Sequence, residues 1–465
     1  MLVFTNTETR SKQPFKPLAD SDVKLYTCGP TVYNFAHIGN FRAIVAYDLL
    51  KRWLAARGFR VNHVMNITDV DDKTIRGARA AGIPLSAFTA RYTAAFFDDC
   101  AALRILKPDI TPAATAHIPQ MIALVRTLVD KEFAYVAGDG SVYFAIGKFP
   151  AYGRLSHLDR GGLRDGARVA QDEYDKDNVC DFVLWKAWTE DDGGVKWDSP
   201  WGPGRPGWHL ECSVMAREYL GDTLDVHMGG EDLVFPHHEN EIAQSEAATG
   251  KPFVRFWLHN AYLQVDGRKM SKSLGNFHTL RDILARGYTG REVRYLLLSA
   301  HYRQPLNFTF TGLHAARSAL QRLDDLRANL ARAASAAGEA RPEAQAAVDA
   351  ARAAWTAALD DDLNTSAALA ALFDLVRQAN VWLQDGAMQG GDARAVLAFM
   401  DEADKVLAVA GADDAAPEEV TRLAAERAEA RAAKNWARAD EVRKKLAELG
   451  FTVEDTPAGP RVKRL

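Results

Sequence analysis

Cys212, His237 and Glu241 are residue types that bind divalent metals, and the last two stand four apart. On a helix that spacing projects an imidazole and a carboxylate from one face. With a thiolate they make an ordinary Zn2+ donor set. Cys28, in the turn after the first expected strand, would complete four. No compact CxxC marks the group, and two buried cysteines beside a helix-surface His–Glu pair would leave the same letters. Lys269 and Lys272 form a second group, in a Gly-flanked stretch, Asp266–Asn276, that has little to bury. Such a loop could close over a triphosphate and neutralise charge on departing pyrophosphate. It would then affect rate more than ground-state binding. A merely solvated basic loop is the plainer alternative.

These groups need elements to carry them. Val23, Leu25 and their neighbours read as a short buried strand, broken at Cys28-Gly29-Pro30. After His37-Ile38-Gly39-Asn40, the apolar residues Phe41, Val45, Leu49 and Trp53 recur at helical spacing. Strand, Gly-containing turn and helix open a nucleotide-binding α/β unit, with phosphate expected at the helix N-terminus. An ordinary βα turn with a capping Asn also fits. Phe59–Met65 alternates as a second strand, so the unit should close as a right-handed parallel crossover. It ends in polar Asn66–Asp72, where Asp71 and Asp72 read as helix caps.

From Pro108 to about Arg205 the texture changes to short apolar pieces with many Gly and Asp, which suggests an insertion splitting the nucleotide-binding domain. Asp225–Met228 reads as another strand, Pro236 as a first helical position, and Val254–Leu263 as the last strand region. From Leu313 the sequence is mostly helical, with joints at Gly386–Gly391 and Gly411–Pro417. The expected fold class is α/β: a Rossmann-type parallel-sheet catalytic domain with an insertion, then a C-terminal helical bundle and a small terminal domain.

Composition narrows the setting. The chain has 465 residues, 48% hydrophobic and 25% charged, values of a multi-domain globular protein. No apolar run approaches the ~18–20 residues of a membrane helix, and no basic-then-apolar leader opens it, so a cytoplasmic location is expected. Four scattered cysteines suggest metal binding or burial rather than disulfides, with Cys100 and Cys180 read as buried or incidental. Net charge is −4, so a nucleic-acid surface must be local. Thr421–Leu465 holds eleven Lys/Arg against seven Asp/Glu, a net +4, with Trp436 among the bases. Aromatics stack on unpaired bases, although a soluble helix surface has the same look.

Taken together, His37–Asn40 and Lys269–Ser273 resemble the paired signatures of class I aminoacyl-tRNA synthetases. The segments CGPTVYNFAHIGN, NITDVDDK, RPGWHLECS, FPHHENE and KMSKSLGNF resemble cysteinyl-tRNA synthetases nearly end to end. Asn40 departs from the class signature, which ends in His; it can donate a hydrogen bond but carries no charge. The resemblance implies one Zn2+ on Cys28, Cys212, His237 and Glu241 that takes the substrate thiolate as a further ligand. It implies an amino-acid pocket lined by Gly29, Thr68, Trp208 and Asp232, the last suited to the α-ammonium. ATP with Mg2+ would be bound by His37, Gly39, Asn40, Lys269, Ser271 and Lys272, of which His37, Asn40, Lys269 and Lys272 are the expected catalytic residues. Substrates would be L-cysteine, ATP and tRNA(Cys), with Arg431, Trp436, Asp440 and Asp455 at the anticodon and the chain acting as a monomer.

The same resemblance divides the chain into the first half of the Rossmann catalytic domain (1–110), a connective insertion (111–205) and the second half (206–275). A KMSKS-containing linker and stem-contact fold (276–312), a helical bundle (313–410) and an anticodon-binding domain (411–465) would follow. Two rivals are a ligase joining cysteine to an amino-sugar, which needs no RNA-binding tail, and a non-catalytic synthetase-like tRNA-binding protein, which has no reason to keep both signatures and four metal positions.

Overall fold

The computed structural model describes residues 1–158, 163–169, 179–270, 275–411, 418–456 and 459–464. Its centre is a four-stranded parallel sheet. Numbering only the elements of this core, β1 (Asp22–Thr27) leads through α1 (Ile38–Ala56) to β2 (Arg60–Met65). The chain returns to the same sheet after the insertion as α2 (Trp208–Leu220), β3 (Leu224–Gly230), α3 (Glu239–Thr249) and β4 (Val254–Asn260). The spatial order is β4-β3-β1-β2, with Leu25 opposite both His63 of β2 and Val226 of β3. β1 and β3 are therefore neighbours whose connections leave to opposite sides. Parallel sheets bind ligands in the crevice at the carboxyl ends of such a pair, and Cys28 directly follows β1.

Helices cover both faces, so the strands read as near-continuous apolar runs. One core joins β1, α1 and the outer helices through residues such as Leu25, Phe41, Leu50 and Trp53; a second gathers α2, α3 and the insertion around Phe182, Trp185, Leu210 and Trp257. The insertion carries its own sheet, in which Val142–Phe144 and Gly204–Pro206 run antiparallel to Val179–Ala187. It is tied back to the first half of the chain by Asp72, which pairs with Lys186 (3.1 Å) and Arg205. The two aspartates thus divide their work: Asp71 accepts from Thr74 N (2.6 Å) and caps the helix Asp72–Ala81, while Asp72 binds the insertion.

Three local expectations change. Pro236 is not a first helical position: Phe235 is extended (φ −139°, ψ 133°) and regular helix starts at Glu239. Val254–Leu263 is two strands, because the chain leaves the main sheet after Asn260 and Leu263–Val265 pairs instead with Leu306–Phe308 and Arg268–Lys269. Lys269 therefore sits on the edge of a hairpin rather than in an irregular loop.

Helices Phe310–Ala333, Pro342–Asp360, Thr365–Gln384 and Gly390–Leu407 pack as a bundle around Leu323, Trp355, Leu372 and Phe399. The chain does not end helical: after Glu418–Ala432 and Trp436–Glu448 comes an antiparallel hairpin, Phe451–Thr456 with Gly459–Arg464. This unit has a separate core of Val420, Leu423, Val442, Leu446 and Phe451. Among the described residues no helix is long and apolar enough to cross a membrane.

Candidate active site and metal centre

Four separate elements converge just past the end of β1. Cys28 comes from the turn after β1, Cys212 from α2, His237 from the turn before α3, and Glu241 from the first turn of α3. One donor atom from each lies within 4.8 Å of the other three. Glu241, 0% exposed, lies between two imidazoles, with Oε1 3.0 Å from His237 Nε2 and Oε2 3.0 Å from His227 Nε2. Trp208 stacks on the His237 ring at 4.2 Å, and His237 Nδ1 is 2.9 Å from His209 Nδ1. On the other side, Cys28 Sγ is 3.3 Å from His238 Nε2, whose Nδ1 is 2.7 Å from His259 Nε2. Cys28, His227, His238 and Glu241 form a second close group that shares two members with the first.

Burial and mutual charge set the protonation of this cluster. Burial pushes the Cys212 thiol up, but hydrogen bonding with Cys28 and the His237 charge outweigh it and hold the group at about 6. Burial likewise opposes ionisation of Glu241, yet His227 and His237 draw its carboxyl down to about 2. His237, disfavoured as a cation by burial, is lifted to about 10 by Cys212 and Glu241. Cys28 goes the other way, raised by burial and by Cys212. Protein anions thus surround a spot where positive charge is stabilised. The donors fit Zn2+, and Glu241 Oε1, although buried, makes no aligned hydrogen bond among the described residues.

Around these residues the expected pocket positions are tightly engaged. A Cβ on Gly29 would fall 1.7 Å from the Asn66 carbonyl oxygen, so only glycine fits. Its N–H donates to Asn66 Oδ1 (2.8 Å). Thr68 is buried and donates to Glu211 Oε2 (2.7 Å), while burial keeps the Glu211 carboxyl well above its usual range. Asp232 is exposed, in the turn after β3.

The signature tetrapeptide forms the head of α1. His37 Nδ1 accepts from Asn40 N (3.1 Å) and Asn40 Oδ1 accepts from His37 N (3.0 Å), a reciprocal cap. The capping role read as the plainer alternative is therefore present in this motif. Phe277 meets the His37 ring edge-on at 5.2 Å, and Ile38 N donates to His278 O (3.0 Å), which ties the residues just after the basic stretch to this helix end. A Cβ on Gly39 would come within 3.1 Å of Met270. Lys269 is exposed; Ser271 and Lys272 lie outside the described residues.

The remaining expected residues sit apart, on the small C-terminal unit. Trp436 is 57% exposed at the head of its helix, with the Arg431 guanidinium 5.5 Å from its ring centroid. Asp440 pairs with Arg443 (3.3 Å). The side chain of Asp455 lies outside the described residues. Motif reading passed over His209, Glu211, His227, His238 and His259, all buried. The usable signal was histidine inside apolar strands, as in Leu224–Gly230 and Val254–Asn260.

Residues 14–318 match the family of tRNA synthetases class I (C) catalytic domains, 354–410 the DALR domain, and 413–461 the cysteinyl-tRNA ligase anticodon-binding domain. The cysteine–tRNA ligase of Chlamydia pneumoniae is 51% identical over 467 residues, spanning 100% of this chain and 98% of the relative. That of Chlamydia muridarum is 51% identical over 474 residues, with both chains covered completely. The chain belongs to the cysteinyl-tRNA synthetase family. Its fold is also that of Mycobacterium tuberculosis methionyl-tRNA synthetase in complex with methionyl-adenylate, at a TM-score of 0.62 and 18% identity over 83% of this chain and 89% of that one. In this cysteinyl-tRNA synthetase family member the matched catalytic-domain range takes in the four-stranded sheet and the chain between its halves, and the two C-terminal ranges fall on the helical bundle and the terminal unit.

Proposed function

We infer that the chain ligates L-cysteine to tRNA(Cys) in two steps, with Cys28, Cys212, His237 and Glu241 holding Zn2+ at the substrate side chain. In the first step the cysteine carboxylate attacks the α-phosphorus of ATP in line, and the bond to pyrophosphate breaks. In the second, the 2′-hydroxyl of the terminal adenosine attacks the adenylate carbonyl, forming the ester and releasing AMP. Zinc supplies a preference for thiolate sulfur over a serine hydroxyl, which pocket shape alone would separate by only ~10–200-fold. Little covalent chemistry falls to the protein in the first step, so positioning and charge stabilisation carry it.

The chain's own groups divide that work. His37 and Asn40 fix the head of α1, whose N-terminus favours phosphate. Lys269 and Lys272 would neutralise charge as pyrophosphate departs, with Mg2+ accompanying the nucleotide. Asp232 has the charge and exposure to receive the α-ammonium. Trp436 and Arg431, exposed on a domain of the anticodon-binding family, would stack on and pair with unpaired RNA.

The observation that carries this reading is the four-donor cluster, assembled from both halves of the split sheet and directly after β1. The test is ATP–pyrophosphate exchange with cysteine and serine in parallel, with zinc measured on the same sample. Cysteine-dependent exchange with one zinc per chain supports it; equal exchange with serine, or full activity without metal, would remove the zinc role.

A further inference from the structure

Arg42 follows Asn40 by two residues on α1 and is 2% exposed. Among the described residues no carboxylate pairs with it, and burial draws its guanidinium down to about 10. It donates instead to four backbone carbonyls. Nη1 reaches Leu297 O and Ala300 O (3.3 Å), and Nη2 reaches His301 O (2.7 Å) and Gln304 O (3.3 Å). Leu297 lies in the last turn of the helix Gly290–Leu298, where carbonyls lack helical partners and positive charge is favoured. One planar fork thus fixes the bend from Leu297 to Gln304 against α1. Taking that charge out of water is costly, and simple apolar packing between α1 and the bend would not require it.

The bend runs on into the strand that supports Lys269. Tyr302 O accepts from Ala261 N (2.9 Å), and Leu306–Phe308 pairs in parallel with Leu263–Val265. Phe308 O accepts from Asp266 N (3.1 Å), and Asn307 Oδ1 accepts from Gly267 N (2.8 Å), both at the turn of the hairpin. Leu263–Val265 pairs in turn with Arg268–Lys269. Backbone and hydrogen bonds therefore run without a break from the α1 guanidinium to the backbone of Lys269. Beyond the hairpin the chain returns to the head of α1, where the His278 ring also meets Phe308 at 6.2 Å.

The bend has a second anchor in the helical bundle. The Tyr302 hydroxyl donates to Asp362 (2.7 Å), Arg303 pairs with the same carboxylate (3.4 Å), and Ser366 Oγ donates to Ser299 O (3.1 Å). The bundle keeps the bend folded, while Arg42 registers it against α1. None of Cys28, Cys212, His237 and Glu241 lies on this route.

We propose that Arg42 is a positioning residue for adenylate formation, which sets the Lys269 hairpin in register with the head of α1. The proposal rests on the role proposed for Lys269 and Lys272. A displacement of about 1 Å far from the chemistry can cost ~100-fold in rate, so Arg42 should act on turnover and leave the cysteine site alone.

The test is Arg42→Met, which keeps the length of the side chain and removes the fork, in cysteine-dependent ATP–pyrophosphate exchange by the full-length protein. The maximal rate per folded chain should fall ~10–100-fold, with KM for cysteine within about twofold and zinc content equal to the parent's. In a Lys269→Ala, Lys272→Ala background the same change should cost less than about twofold, since the route then ends on no lysine. Asn307→Ala, at an exposed position on the far end of the route, should lower the rate about threefold with the same split. A rate unchanged by both single variants, equal changes in rate and cysteine KM, or full additivity with the lysine variant would each overturn the proposal. Where Arg42→Met does not fold, Asn307→Ala and its non-additivity with the lysine variant decide alone. The lysine variant by itself tests the role of the lysines, and the non-additivity tests that of Arg42, so the two readings fail on different measurements.

Discussion

The donor cluster and the C-terminal unit place the side chains proposed for function in opposite surroundings. Cys212, His237 and Glu241 are at most 1% exposed and touch elements from both halves of the sheet, whereas Trp436 is 57% exposed on a unit with a core of five residues. At the cluster, the proposed metal role and the architecture share the same atoms, so a substitution should disturb both. At the terminal unit they are separable, because Val420, Leu423 and Val442 hold the helices while Arg431 and Trp436 face outward. Exposed charges are also screened by salt far more than buried ones. The lesson is that the same change in chemistry has different reach depending on where the side chain sits.

Cys212→Ser tests the strong end of that contrast. Loss of even an outer partner to a metal ligand costs ~10–100-fold, so losing a donor should lower cysteine-dependent exchange by more than ~100-fold and remove most bound zinc. Normal zinc with normal exchange would mean that burial at this cluster is structural only.

His37 offers a sharper separation, since it caps α1 and faces the expected nucleotide site. His37→Ala should lower stability by about 1 kcal/mol through loss of the cap, and exchange by about 100-fold. His37→Asn restores a capping oxygen and should recover the stability in denaturant titration but not the exchange rate. If both return together, the imidazole serves the helix alone.

At the exposed end, deleting residues 413–465 should leave exchange within about twofold, because the terminal core is separate, yet reduce tRNA charging. Trp436→Ala should weaken tRNA binding by about 1–3 kcal/mol if a base stacks on it, with a salt dependence that exchange lacks. Charging unchanged by the deletion would end the anticodon assignment.

How much of this was legible follows from the kind of signal each element leaves. The parallel βαβ core could be read because β1, α1 and β2 each carry their full apolar period in sequence. The four expected metal donors could be named, and the structure brings them together, because they fall in short motifs with unusual letters. His227 and His259 were not, since a lone histidine in an apolar strand looks like ordinary core until the fold shows what it faces. The terminal hairpin was missed because its strands are rich in charge, with Phe451, Val453 and Val462 the apolar residues that pack on the helices above among the described side chains. At Pro236 a helix-start rule competed with a chain that must first turn His237 toward Cys212, and the turn won.

The smallest effect concerns acid. All twelve histidines precede residue 315, so proton-linked stability from imidazole belongs to the catalytic half. His63 is buried away from the donor cluster's ligands and held at about 3, below its ordinary 6.5. Between those values the unfolded chain binds a proton that the folded one does not, so stability rises with pH across this window and is lost as pH falls below about 6.5. One unit below that value the term amounts to about 1.4 kcal/mol. His63→Gln should therefore flatten the acid side of a stability-against-pH profile measured by urea unfolding, while deletion of 413–465 should leave the slope from imidazole unchanged. If the truncated chain instead lost the acid sensitivity and His63→Gln kept it, the buried half would not be where protons are counted, and the contrast between the two regions would fail on its electrostatic side.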